Sequence, residues 1–195
     1  MERKMGRLVL ASTSKWRKQL LEEAGLSCDS IDPGVDESTI LGSSAIETAE
    51  LRASAKATAV GERYPSALVL GADQVVHLDG ETIGKPSNDA DWKRRLQSMR
   101  GRTHQLTTSV ALLEHGQMDV FSVTTLVTMR ADISDEEIDS YIELGEARGC
   151  AGGYMVERRG AWLIESIDGD WLNVVGLPVL HVVSRLRERG WRMSK

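Results

Sequence analysis

Short apolar runs alternate along the chain with stretches whose apolar positions recur every three or four residues, the pattern of strands interleaved with helices. RLVLA at Arg7–Ala11 reads as a short buried strand. Ser12-Thr13-Ser14 follows as a small-residue turn able to cap a helix carrying Leu20, Leu21 and Ala24, with Gly25 in the C-cap place. Leu26–Asp36 reads as strand and loop, ending in the acidic pair Asp36-Glu37. An Ala-rich helix is expected from Ile46 to near Arg63, closed before Pro65. Ala67–Gly71 (ALVLG) has the look of a central strand, ending at Ala72-Asp73-Gln74. Val75–Leu78 and Glu81–Ile83 flank Asp79-Gly80, a hairpin signal. Asp89–Met99 is helical, followed by Gly101.

Thr103–Leu113 and Val120–Met129 form two β-rich stretches with Glu114–Gln117 as the hairpin loop between them. Ser134 is placed to cap a helix running to Leu144. Gly149–Tyr154 reads as a Gly-rich connection, Ala161–Ile167 as a strand, and Val174–Pro178 (VVGLP) as a loop. Pro178 then opens an amphipathic helix to near Arg189, built on Leu180, Val183 and Leu186 with Arg187 on the outer side. Helices interspersed with single strands and hairpins predict an α/β protein with a mixed sheet. With no linker, repeat or low-complexity segment, residues 1–195 are expected to form one domain.

Composition narrows the classes. The chain has 195 residues, 41% hydrophobic and 27% charged, which excludes a disordered or collagen-like protein. Its net charge is −5, and its densest basic stretches, Lys93–Arg95 and Arg185–Arg189, read as solvated helix faces, so polymeric nucleic acid is a poor partner. Cys28 and Cys150 stand far apart, which fits neither a disulfide framework nor a zinc site. Met1–Leu10 lacks the apolar run of a signal peptide, and no 18-residue apolar stretch exists for a membrane span. A cytoplasmic protein with no membrane association is expected.

Five features bear on chemistry. The turn Ser12–Arg17 offers a helix N-terminus, hydroxyl donors and an arginine fork, all suited to phosphate, although taken alone a capped helix with a surface Arg is the simpler reading, since Ser and Thr caps are commonplace. Asp73 follows a central apolar run, a place to hold a divalent metal or polarise a water, or simply to open the next hairpin. Gly84-Lys85-Pro86 extends one positive charge from a fixed backbone without being a P-loop. The pair Asp36-Glu37, and Lys56 on one helical face with Arg52, would each pass for solvated surface. As a set, carboxylates at Glu37 and Asp73 with cations at Arg17, Lys56 and Lys85 meet the needs of phosphoryl transfer. The four histidines show no metal-ligand spacing, and no GxSxG elbow is present.

The ordered segments LVLASTSKWRKQLL from Leu8, PGVDE from Pro33, Lys56-Ala57, LGADQVVHLDGETIGKP from Leu70, GRTHQLTTSVAL from Gly101, GCAGGY from Gly149 and NVVGLP from Asn173 together resemble the Maf family, over Leu8–Gly190. The resemblance implies a divalent-metal-dependent nucleoside triphosphate pyrophosphatase, with Mg²⁺ or Mn²⁺ as cofactor, cutting between the α and β phosphates of a small nucleotide. It also implies a two-lobed α/β fold with an active-site cleft, and a homodimer. Asp73 matches the family's proposed general base. Arg17, Glu37, Lys56 and Lys85 match its phosphate- and metal-handling positions, with Glu37 and Asp73 as the metal pair, and Ser12 and Ser14 match its first loop.

Two residues depart from the family pattern: Lys15 stands for the usual Pro, and Trp16 for a usual basic residue. Trp16, Gln74 and Glu157 look similar to the branch that hydrolyses 7-methyl-GTP. A cationic methylated guanine could stack on the Trp16 indole, and Glu157 could accept from its N–H groups. That branch is therefore the main expectation. A dTTP/UTP or broad-specificity pyrophosphatase is the alternative, as is a non-catalytic nucleotide-binding regulator of cell division, a role with which the family has been associated.

Overall fold

The computed structural model describes residues 6–192. Residues 1–5 and 193–195 lie outside the described residues, and with them the first half of the segment read as lacking a signal peptide. The chain divides into two compact units. The first comprises Met1–Asp73, Thr108–Val123 and Gly176–Lys195, and the second Gln74–Thr107 and Thr124–Val175. Strands run in the order β2-β1-β3-β5-β6-β7, with β4 paired to β3, a mixed seven-stranded sheet.

In the first unit, β1 (Leu8–Ala11) is buried throughout, as its unbroken apolar run predicts. Ser14 caps α1 (Lys15–Glu23), its hydroxyl accepting from the Arg17 amide. β2 (Cys28–Ser30) and the first part of β3 (Leu68–Leu78) lie parallel to β1 on its two sides. Parallel neighbours require crossovers, supplied by α1 and by α2 (Ala45–Gly61). Ser44 caps α2, and Ala53, Ala57 and Val60 pack with Val9, Ala11, Val69 and Ala111. Small side chains dominate that cluster, so helix and sheet approach closely. At Gly71 the approach is closest: an added Cβ would stand 2.2 Å from the Ala53 carbonyl oxygen and 2.8 Å from the Ala57 nitrogen.

β3 corrects the expected break at Ala72-Asp73-Gln74, since one strand runs unbroken through all three residues. A polar residue inside a strand ends nothing when its side chain finds partners, and Asp73 does. The reason Asp73 still marks a special place lies in β1. Its pairing with β3 stops at Ala11 opposite Gly71, after which the chain turns away into α1. Asp73 therefore lies on β3 just past the point where β1 leaves its pairing, next to the carboxyl end of β1, the kind of place at which α/β sheets gather functional groups.

In the second unit, β3 continues through the Asp79-Gly80 turn into antiparallel β4 (Glu81–Ile83), with φ of +52° and +84° at the two turn residues. α3 (Asp89–Met99), capped by Asn88, and α4 (Asp135–Leu144), with a full capping box at Ser134 and Glu137, are where the sequence puts them. β5 (Thr103–Glu114) and β6 (Gln117–Met129) each contribute to both units and meet at the tight turn His115-Gly116, which belongs to the first.

Three expectations shift. The strand expected over Ala161–Ile167 is a 3-10 turn at Arg159–Leu163 followed by β7 (Ile164–Asp168). Gly160 is pressed against the Met155 backbone, and pairing with β6 begins only at Met129 opposite Ile164, beside a register shift. Part of VVGLP is helical, because Asp170 accepts from the Leu172 and Asn173 amides and so caps α5 (Trp171–Val175). In α6 (Val179–Glu188) the buried face is Val179, Val182 and Leu186, while Leu180 is 67% exposed. No helix among the described residues is long and apolar enough to cross a membrane.

Candidate active site

The close helix–sheet contact at Gly71 brings Lys56 of α2 onto the end of the β1–β3 pairing. Its ammonium is buried and donates to Asp73 Oδ1 at 2.8 Å and to the Ala72 carbonyl at 3.3 Å. It also lies 3.1 Å from Glu37 Oε1, carried on the 3-10 turn Glu37–Thr39 that Asp36 caps. Three acceptors thus meet the three N–H donors of one lysine. Arg52, one turn earlier on α2, holds the Ile40 carbonyl and stands 3.9 Å from Asp73 Oδ2.

Asp73 is only 6% exposed, and its Oδ2 has no hydrogen-bond partner among the described residues. Burial pushes the Asp73 carboxyl above the usual carboxylate range. The Lys56 charge and hydrogen bond, and the Arg17 charge, pull it back, while Glu37 adds to the rise.

Arg17 sits in the first turn of α1. Its Nη1 donates to the Ala72 carbonyl at 2.7 Å and its Nε to the Gly176 carbonyl at 3.1 Å. Burial lowers its pKa, against the charges of Asp73 and Glu37, yet a guanidinium stays charged. Two of its five N–H groups thus serve the backbone, and its fork is only partly left for phosphate. Ser12 Oγ accepts from the Ser14 amide and Ser14 Oγ from that of Arg17, so both hydroxyls shape the turn and keep their own protons to donate. Trp16 is half-buried.

The first unit therefore gathers Arg17, Glu37, Lys56 and Asp73, with Ser12 and Ser14 in the turn before Arg17. Sequence reasoning did not place Arg52 or Gly71 in this group. The four-residue spacing from Arg52 to Lys56 was the available signal for one; a glycine ending an apolar run was the weak signal for the other. The remaining three expected residues belong to the second unit. Gln74 donates through Nε2 to the Asn173 carbonyl at 2.9 Å, and Lys85 and Glu157 are exposed.

Among the described residues no group of three or more His, Cys, Asp or Glu side chains forms a metal cage. The donor set nevertheless fits a hard divalent cation. Mg²⁺ is commonly held by one or two carboxylates together with substrate phosphates, and the unpartnered Asp73 oxygen beside Glu37 matches that demand. Chemically, the cluster can bind a polyanion, hold a cation through two carboxylates and take a proton at a carboxylate whose pKa is raised.

Residues 7–189 match the family model of the Maf-like protein. A dTTP/UTP pyrophosphatase of Symbiobacterium thermophilum is 42% identical over 187 residues, covering 96% of both chains. Another dTTP/UTP pyrophosphatase, from Dictyoglomus thermophilum, is 39% identical and covers 95% of this chain and 97% of its own. One from Bacillus cereus is 38% identical over 94% of this chain and 96% of its own. A looser likeness, with a TM-score of 0.46 at 19% identity over 64% of this chain and 72% of the other, is to the Staphylococcus aureus Ham1 protein. These relatives are named for dTTP and UTP and not for 7-methyl-GTP, so the expected 7-methyl-GTP branch finds no support among them. The expectation rested on three side chains, of which Gln74 has its amide engaged with Asn173 and Glu157 stands exposed. On a match that runs from residue 7 to residue 189 and relatives aligned nearly end to end, the chain belongs to the Maf-like protein family.

Proposed function

We propose that this chain, an enzyme of the nucleotide pyrophosphatase class, hydrolyses the α–β phosphate bond of dTTP and UTP to a nucleoside monophosphate and pyrophosphate. The observation that carries the substrate reading is the 42% identity over 96% of the chain to a dTTP/UTP pyrophosphatase. The Lys56, Glu37, Asp73 and Arg17 cluster supports the chemistry.

In this reading Asp73 orients a water and accepts its proton, a task suited to a carboxyl whose pKa burial has raised. The water oxygen bonds to the α-phosphorus as the bond from phosphorus to the bridging oxygen breaks. Pyrophosphate departs with that electron pair. Lys56 and Arg17, with Lys85, balance the negative charge of the phosphates, and Ser12 and Ser14 donate to phosphate oxygens. Glu37 and Asp73 would hold Mg²⁺ or Mn²⁺, which when bound supplies further charge neutralisation. Trp16, Gln74 and Glu157 are read as base-contacting positions. A single domain over 1–195, acting in the cytoplasm as a homodimer, completes the proposal.

A pyrophosphate-release screen with Mg²⁺ and with Mn²⁺ tests it, comparing dTTP, UTP, CTP, GTP and 7-methyl-GTP. Preference for dTTP and UTP is the expected result. Preference for 7-methyl-GTP would overturn the pyrimidine assignment while keeping the chemistry. Release of single phosphates would overturn the bond assignment, and binding without turnover would leave a regulator instead of an enzyme. Light scattering on an eluting peak checks the dimer.

A further inference from the structure

The same three oxygens that surround the Lys56 ammonium are of the kind a hard divalent cation takes. Asp73 Oδ1 lies at 2.8 Å, Glu37 Oε1 at 3.1 Å and the Ala72 carbonyl at 3.3 Å. Lysine cannot leave this position freely. It is 5% exposed, and its backbone is pinned by the contact of Gly71 with the flanking Ala53 and Ala57. Lys56 engages Asp73 Oδ1 and Glu37 Oε1 and leaves Asp73 Oδ2 without a hydrogen-bond partner among the described residues, so a cation competes with the ammonium for the first two oxygens and meets the repulsion of its charge at the third.

The charges around the pair work in the same direction. Arg17 donates to the Ala72 carbonyl next to Asp73, and Arg52 stands 3.9 Å from Asp73 Oδ2. Three cations against two carboxylates leave the cluster net positive, which repels a divalent cation and attracts a polyanion. A triphosphate reverses both conditions, because its oxygens offer Lys56 new partners and its charge turns the cluster negative.

We propose that Lys56 is a resident counter-ion: it keeps Glu37 and Asp73 aligned, and it holds off the divalent cation until a nucleoside triphosphate draws the ammonium away. Metal and nucleotide affinity are then coupled, and each raises the other by the same factor. The proposal rests on the reading of Glu37 and Asp73 as the metal-holding carboxylates, and it adds an order of binding to that reading.

The test titrates the intact protein with Mn²⁺ alone, without nucleotide, following free Mn²⁺ by electron paramagnetic resonance. Lys56→Gln should bind Mn²⁺ about tenfold tighter than the parent, within the ordinary range of couplings between sites. Lys56→Arg keeps the charge and should stay within about twofold of the parent. The double variant Glu37→Gln, Lys56→Gln should lose the gain. Equal or weaker Mn²⁺ binding by Lys56→Gln would overturn the proposal, as would a gain that survives the loss of Glu37. Circular dichroism confirms folding, and Lys56→Met carries the same prediction if the glutamine variant does not fold. Pyrophosphate release by the parent, measured in parallel, separates the two readings. Turnover with an unchanged Mn²⁺ affinity sinks the counter-ion alone, whereas no turnover of any triphosphate sinks the proposed function whatever the Mn²⁺ result.

Discussion

Two regions of this molecule bury polar side chains equally deeply and treat them in opposite ways. In the first unit, Lys56 and Asp73 are 5% and 6% exposed, and both stand among further charges. In the second unit His104 is 1% exposed, and its Nε2 meets the Tyr154 hydroxyl at 2.7 Å, the two rings standing edge to face. With it belong Tyr141, whose hydroxyl accepts from the Met155 amide, and Trp92, whose indole donates to the Gly153 carbonyl. Burial pushes His104 down to about 4 and raises both tyrosines above their usual range, so this cluster is neutral near pH 7. A neutral, hydrogen-bonded cluster is the less costly way to bury polar atoms, whereas a charged one carries a desolvation penalty that single pairs seldom recover. Among the described residues each region keeps one buried atom without a hydrogen-bond partner, Asp73 Oδ2 in the first and His104 Nδ1 in the second, so it is the charge retained against that penalty that makes the first region the candidate for chemistry.

The sharpest way to break this comparison is Asp73→Asn. Turnover should fall by about 10²-fold or more, in the range expected for loss of a general base, with the fold intact by circular dichroism and the melting temperature lowered, because buried Lys56 loses a counter-charge. Near-normal turnover would remove Asp73 from the reaction. The pH profile sharpens the same point. Since the Asp73 pKa is raised in the folded protein, kcat/KM should decline with falling pH above the ordinary carboxylate range, and a decline confined to that range would mean another group titrates.

Next in size is Gly71→Ala. The new Cβ would meet backbone atoms of α2, which cannot rotate aside, so a stability loss of about 1–3 kcal/mol is expected. Turnover should fall with it, as α2 carries Lys56 away from Asp73. Gly61→Ala is the control on the same helix, since its Cβ would meet only the Leu113 side chain. Similar losses of stability and turnover in the two variants, by urea melts and kinetics, would deny Gly71 its particular role.

In the second region the effects fall on stability alone. His104 is held neutral, with a folded pKa of about 4 below the 6.5 of an ordinary histidine, so between these values the unfolded chain binds more protons. Stability should therefore fall as pH drops from 6.5 towards 4, and His104→Gln should flatten that slope in thermal melts at pH 7 and pH 5. Tyr154→Phe removes one hydrogen bond and should cost about 1 kcal/mol, with turnover untouched. A turnover loss in either variant would give this neutral cluster a part in the chemistry.

Much of this was legible in local sequence, and the residues say why. The turn at Asp79-Gly80, the capping box at Ser134 and Glu137, and the run LVLA at β1 announce themselves because their causes act over a few residues. The continuous strand through Asp73 was not legible, because an Asp within an apolar run is tolerated only when a partner from elsewhere meets it. The one-turn α5 was missed although Asp170 offered a cap, since five residues show no period. Leu180, expected on the buried face, is exposed while Val179 and Val182 are buried, because a ten-residue helix with apolar residues on several faces lets its neighbours choose the face.

By itself the sequence determined most of the order of helices and strands and the mixed α/β class, and it offered Arg17, Glu37, Lys56 and Asp73 as candidates, since motif order and local patterning are written residue by residue. Only the tertiary structure decided that these four belong to one cluster, that Arg52 stands with them, and that Gly71 makes the approach possible. Their separations along the chain run to 56 positions, from Arg17 to Asp73, and no local preference acts over such a span. What joins them is the burial of small side chains between α2 and β3, a term that exists only once both elements are packed.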